Sequence, residues 1–223
     1  MVSRAVCALF FSLVLVGPSL QAAGSVPAVE ALEALTVKGR APKTGYSRKE
    51  FGAKWSDVDR NGCDTRNDIL RRDLHDIETK PRKRSRSDPA RNRDCVVLSG
   101  VLDDPYSGRQ IPFLKGDGTS QLVQIDHVVS MGNAWVTGAF QWSPGQRRSF
   151  ANDPLNLLAI SGELNSKKRD GDAATWLPPS RSYRCRYVAR QIAVKQKYGL
   201  WVTRPEKEAM QRILRNCPGQ PLP

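Results

Sequence analysis

The sequence predicts an α+β fold: one domain with a β-hairpin, a second small strand pair, flanking helices and two disulfides. Three observations predict it. Short β-branched runs alternate with turn chemistry mid-chain, in "CVVLSGVL", "RQIPF", "LVQIDHVV" and "NDPLNLLAIS". Apolar residues at helical spacing lie before and after them. Five cysteines are present, one in an N-terminal apolar segment and four beyond it.

The elements follow in chain order. Met1–Arg4 is a positive start, Ala5–Val16 is almost wholly apolar, and small residues run up to Ser25. This is the layout of a secretory signal peptide over 1–23, cleaved within 22–25. The apolar run is short for a membrane span, so the protein is expected to be secreted, extracellular or periplasmic, with no membrane attachment after cleavage. Residues 24–45 read as an N-terminal segment, with Val29, Leu32 and Leu35 on one face of a short helix and Lys38–Gly45 as a linker. The domain proper is expected over 46–217 and a tail over 218–223. Ser47 with Glu50 reads as a capping box. From about Thr65, Ile69, Leu70, Leu74 and Ile77 form a helical stripe, with His75 at its edge and assigned no chemistry. Lys80–Arg93 is dense in cations and has no apolar face. It reads as a solvated loop, either without a partner or tracking phosphates.

Cys95 opens the hairpin, "DDPYSG" turns it and "RQIPF" returns. The next strand places Leu122, Gln124 and Asp126 on one face, and Val123, Ile125 and His127 on the other. A loop leads to the strand in "NDPLNLLAIS", and Ser161 is placed to cap a helix from Gly162. Tyr183–Tyr198 is apolar all round and reads as a buried helix. Thr203 with Glu206 caps a last helix to about Asn216, with Ala209, Met210, Ile213 and Leu214 inward. An exported chain that keeps Cys63, Cys95, Cys185 and Cys217 suggests two disulfides. Of the three pairings, Cys63–Cys95 and Cys185–Cys217 are favoured, because each closes a local segment of similar size. No Cys-x-x-Cys pair exists, and His75 and His127 are the only histidines, which argues against zinc.

Lysine and arginine number 35 against 22 acidic residues, a net charge of +13. Such an excess favours a polyanionic partner, nucleic acid or an anionic surface. Within the strand–loop–strand–helix segment, polar residues fall at Asp126-His127, Asn156 and Asn165. Each alone has an ordinary reading: a packed histidine, a turn-starting asparagine, a solvent-facing residue in a first helical turn. Together they suit phosphodiester hydrolysis, which needs a base, a cation at the phosphate and a stabilised leaving oxygen. Imidazole supplies a base near neutrality, and aspartate and asparagine oxygens are hard ligands suited to Mg²⁺ or Mn²⁺.

Asp126-His127, Asn156, Asn165 nine positions later and Lys168 three beyond resemble the HNH endonuclease motif (ββα-metal, or His-Me finger). The variant is the one with aspartate first and asparagine last. The strings "GCDTRNDIL", "LDDPYSG", "QIDHVVSMGNAW" and "NDPLNLLAISGELNSKKRDGDAATWLPP" resemble secreted bacterial HNH-family nucleases. Those are related to the C-terminal nuclease domain of GmrSD-type restriction enzymes, and the likeness runs from about Tyr46 to Cys217. It implies a ββα-metal core in which His127 is the general base and Asp126 and Asn165 hold a divalent cation, Mg²⁺ foremost and Mn²⁺ as the alternative. Asn156 would fasten the loop that orients His127, and Lys168 would steady phosphate charge. Cleavage would leave a 5′-phosphate.

Asp64 and Arg66 match the family too, but capping and salt-bridging explain them equally well, and they stay outside the expected site. Trp135, Trp142 and Trp176 read as packing residues rather than base-stacking ones. Strand neighbours point to opposite faces, so irregular backbone is predicted at Asp126-His127. The expected protein is a monomeric, secreted, metal-dependent endonuclease for DNA, with RNA left open, and of little sequence preference. The alternatives are a non-catalytic nucleic-acid binder, against which Asp126 and His127 argue, and an exported nuclease toxin of identical chemistry.

Overall fold

The structure, a computed structural model, describes residues 26–81 and 94–223. The expected signal peptide and most of the Lys80–Arg93 run lie outside the described residues. In chain order the elements are α1 (Ala28–Ala34), α2 (Thr65–Asp73), β1 (Leu74–Thr79), β2 (Val97–Asp104), β3 (Arg109–Leu114), β4 (Val123–His127), α3 (Met131–Val136), α4 (Pro144–Ala151), β5 (Leu157–Ser161), α5 (Gly162–Lys168), α6 (Arg184–Tyr198) and α7 (Arg204–Leu214). The fold is α+β, with one antiparallel sheet ordered β1-β2-β3 and another formed by β4 and β5.

The β4–β5 pair lies between two apolar clusters. Val123, Ile125, Leu157 and Ala159 join residues of α2 and the three-stranded sheet. Val128, Leu158 and Ile160 join α1, α6 and α7. Covered on both faces, β5 is buried at every position, which is why it reads as an unbroken apolar run. It passes directly into α5, whose first turn is capped by Ser161 Oγ accepting from Leu164 N. A Cβ on Gly162 would stand 2.0 Å from the Gln121 carbonyl oxygen, so no side chain fits where the helix meets the turn before β4.

Both expected disulfides are present, Cys63–Cys95 with Cα atoms 5.2 Å apart and Cys185–Cys217 with 6.4 Å. The first ties the entry of α2 to that of β2, and the second ties α6 to the end of α7. The Thr203/Glu206 capping box forms as read. Lys38–Gly45, expected as a linker, is held at Arg40 by Asp172 (2.6 Å) and at Lys43 by Asp170 (2.8 Å).

Four local expectations change. In α1 the buried residues are Ala28, Ala31 and Leu32, continued by Leu35, whereas Val29 is 45% exposed; small alanines complete the inward face. The stripe Ile69–Ile77 is not one helix, because α2 ends at Asp73 and β1 takes over. Its register against β2 slips by one residue between His75 and Glu78, with Asp76 at φ 51°. This bulge returns Ile77 to the face of Leu74, and both would touch a Cβ placed on Gly100, at 3.1 Å. A spacing of three therefore arises in a strand. Ser47 caps a single 3-10 turn over Arg48–Phe51, but the Glu50 carboxylate reaches Arg147 (3.5 Å) instead of closing a box. Finally, the stretch read as a loop between β4 and β5 contains α3 and α4, capped by Ser130 and Ser143. Pro144-Gly145 looks like a turn in sequence, yet proline suits the first position of a helix.

Candidate active site at the end of β4

Pairing of β4 with β5 is regular to the strand's end: Asp126 faces Leu158, His127 faces Leu157, and Val128 N donates to Asn156 O at 2.8 Å. The irregular backbone expected at Asp126-His127 is absent, and the chain bends only after the pair. The two side chains therefore leave on opposite faces, as a regular strand requires.

Asp126 turns toward α5 and the hairpin. Its Oδ1 accepts from Lys168 Nζ (3.0 Å) and its Oδ2 from the Tyr106 hydroxyl (2.6 Å), with Asp126 4% exposed. Lys168 Nζ also donates to the His127 carbonyl oxygen (2.8 Å), so one buried ammonium fixes both members of the pair. His127, 8% exposed, turns the other way, where its ring lies near-parallel (17°) to the Trp55 indole with centroids 6.2 Å apart. Its Nε2 and the Ala151 carbonyl oxygen are 2.9 Å apart. A carbonyl can only accept, so Nε2 carries the hydrogen and Nδ1 keeps the lone pair. Burial pushes the imidazole down to about 4, against the raising effects of the Ala151 bond and Asp126. It is neutral at pH 7 with Nδ1 unprotonated, but burial makes it a weaker base than the near-neutral imidazole the sequence predicts.

Asn156 is fully buried and clamps the turn after His127 from both sides: Val129 N donates to its Oδ1 (2.8 Å), and its Nδ2 donates to Val129 O (3.2 Å). Asn165 Nδ2 donates to Gln124 Oε1 (2.9 Å), which turns its amide oxygen the other way. Two clefts meet here. One, of about 320 Å³, is lined by Asp126, His127, Asn165, Ser130 and Arg169. The other, of about 400 Å³, is lined by His127, Asn165, Trp55, Arg48 and Arg66. Lys168 lines neither; it stands behind Asp126.

A carboxylate and an amide oxygen on one cleft form a hard donor set that fits Mg²⁺, an ion that commonly takes one or two protein ligands and completes its shell with water and phosphate. Among the described residues no group of three or more His, Cys, Asp or Glu could hold a metal. The same cleft is also lined by the Asp170 carboxylate and the Ser130 hydroxyl, further oxygen donors on its wall.

Sequence reasoning missed Tyr106, Trp55 and Arg48, and left Arg66 aside. Tyr106 sits in the β2–β3 turn, inside "LDDPYSG", where no periodicity marks it. Arg66, in the first turn of α2, donates to Val123 O at 3.3 Å, and burial pulls its guanidinium below the ordinary arginine value. The three tryptophans do pack: Trp135 against Tyr46, Trp142 against Phe150 and Tyr198, and Trp176 against Tyr106 and Tyr187.

Residues 64–213 match the family described as GmrSD restriction endonucleases, C-terminal domain. A fungal protein of Arthroderma benhamiae named "Uncharacterized secreted protein" is 36% identical over 188 residues, covering 83% of this chain and 82% of the relative. It is fungal, where the sequence reading points to bacterial secreted nucleases. No solved structure matches. The matched span includes β4, β5, α5 and Tyr106, and the chain belongs to the family of GmrSD restriction endonuclease C-terminal domains.

Proposed function

We propose that this protein is a secreted, metal-dependent endonuclease that hydrolyses DNA phosphodiester bonds with little sequence preference, leaving a 5′-phosphate. The observation that carries the reading is His127: neutral, held through Nε2, and placed where two clefts meet beside Asn165. The family's description as restriction endonucleases supports it, and the name of the fungal relative supports export.

In this reading β4, β5 and α5 form the ββα-metal unit. His127 Nδ1 takes the proton of the attacking water, while Asn156 holds the following turn and thereby the ring's position. Asp126 and Asn165 would hold the divalent cation, Mg²⁺ or Mn²⁺. Bound there, it would supply positive charge to the scissile phosphate and the leaving 3′ oxygen. Tyr106 and Lys168 fix the Asp126 carboxylate from behind, so Lys168 positions rather than touches phosphate. Arg48 and Arg66 serve the backbone, which carries no sequence information.

The test incubates the mature protein with plasmid DNA and Mg²⁺. Nicking and linearisation are expected, abolished by EDTA and reduced roughly 100-fold or more in His127→Ala. Cleavage that persists in EDTA rules out the metal, and an unaffected His127→Ala rules out the base. One observation favours the non-catalytic binder: Lys168 already neutralises Asp126. Calorimetric titration with Mg²⁺ of His127→Ala bound to an unmodified oligonucleotide, referenced to the oligonucleotide alone, separates the two, because a binder adds no Mg²⁺ uptake beyond that of the DNA.

A further inference from the structure

We propose that the cleft between the Arg48–Trp55 segment and β4 is a nucleotide subsite, which takes one unpaired nucleotide beside the scissile phosphate and so directs the enzyme to single strands. The proposal rests on the nuclease reading and names the substrate class of that site.

Charge is the first support. Arg48, Lys49, Lys54 and Arg66 line this cleft, and no carboxylate does among the described residues. Arg66 is partly buried in the first turn of α2, makes its described hydrogen bond to the Val123 carbonyl oxygen, and has no salt bridge among the described residues. The nearby charge of Asp64 favours the guanidinium, but burial outweighs it, so the cation stays under-compensated and a phosphate in the cleft offsets that cost.

Shape and surface are the second. Trp55 forms an aromatic wall whose plane runs nearly parallel to His127, 17° apart. It holds that place with φ at 56°, a conformation rare for a bulky residue and one that costs energy. Aromatic walls in basic grooves bind bases through their π-faces with little regard to sequence. The cleft, about 400 Å³, is of the size that takes a small-molecule ligand. One nucleotide is such a ligand, whereas both strands of a duplex step are not. Because this cleft and its neighbour share His127, Asn165 and Arg48, a strand crossing from one to the other sets a phosphate at their junction.

The experiment measures fluorescence anisotropy of a short labelled oligonucleotide, single-stranded or annealed, with the full mature chain in EDTA across one matched series of salt concentrations. The single strand is expected to bind more tightly than the duplex. Trp55→Ala should weaken single-strand binding roughly 5- to 150-fold, with duplex binding little changed and Trp55→Phe retaining most of the affinity. Arg66→Gln should weaken binding and reduce the salt slope by about 0.7. Equal affinity for single strand and duplex, or a silent Trp55→Ala, overturns the proposal. If Trp55→Ala does not fold, Trp55→Phe and Trp55→Leu decide: loss in leucine alone supports stacking, and equal affinity overturns it. Plasmid cleavage is scored separately with Mg²⁺. A chain that cleaves without a Trp55 effect loses only the subsite, and one that binds through Trp55 but never cleaves loses only the hydrolysis.

Discussion

Lys168→Met puts the arrangement behind the site under the sharpest test. The Lys168 side chain has no exposed surface and that of Asp126 is 4% exposed; the ammonium lies 3.0 Å from one carboxylate oxygen and 2.8 Å from the His127 carbonyl. Methionine keeps the length and apolar stem of lysine but removes the charge. Asp126 is then left buried, with the Tyr106 hydroxyl as its remaining described partner. Breaking one side of a buried ion pair typically costs about 3–5 kcal/mol, because the abandoned charge keeps its desolvation penalty. For a chain of this size, that lowers the melting temperature by roughly 6–20 °C. Asp126→Asn alone should destabilise comparably by stranding the ammonium. The double variant Asp126→Asn/Lys168→Met should recover most of the loss, since neither charge then remains. Urea unfolding followed by circular dichroism at neutral pH, in EDTA so that no cation replaces the ammonium, gives all four corners of the cycle. A Lys168→Met cost under about 1 kcal/mol, or a double variant equal to the sum of the singles, would refute the reasoning.

Two further outcomes are expected. His127 holds about 4 in the fold, below the ordinary histidine value it regains on unfolding. Stability from this group is therefore complete above about pH 6.5 and declines toward pH 4, as the unfolded chain takes a proton the fold resists; the loss is roughly 3 kcal/mol. Urea unfolding across that range, metal-free, should show His127→Gln losing much of the slope, and identical slopes would contradict the burial argument. Tyr106→Phe removes the 2.6 Å hydrogen bond to Asp126. It should cost about 1.5–3 kcal/mol in stability and weaken Mg²⁺-dependent cleavage roughly 10- to 100-fold. An unchanged Mg²⁺ titration would show that this hydroxyl does not support the carboxylate.

Legibility tracked locality. Ser161 at the head of α5 and Thr203 with Glu206 at the head of α7 act within one turn, so residue identity and spacing sufficed. The two disulfides each join cysteines 32 residues apart, and local closure was enough to choose among the pairings. Where two structures share one spacing, the pattern misled: Leu74 and Ile77 are three apart in sequence, as on a helix, but a bulge in a strand brings them to one face. The bend expected at Asp126-His127 failed differently. It assumed both side chains must reach one point directly, whereas two clefts meet at the end of a regular strand.

The sequence by itself determined the residues of the candidate site: an aspartate–histidine pair on a strand, an asparagine before the next strand, and an asparagine and lysine on the helix after it. It also determined the strands, caps and cross-links that carry them, since each is set by alternation, spacing or a neighbour a few residues away. Only the tertiary structure decided who stands beside whom. Tyr106, 20 residues before Asp126, supplies the hydroxyl on its carboxylate. Lys168 turns inward to that carboxylate instead of outward to solvent, and Trp55 and Arg66 come from distant segments to wall the cleft over His127. These are contacts between separate elements. Their energies depend on burial and on which face meets which, and periodicity along one chain carries no record of that.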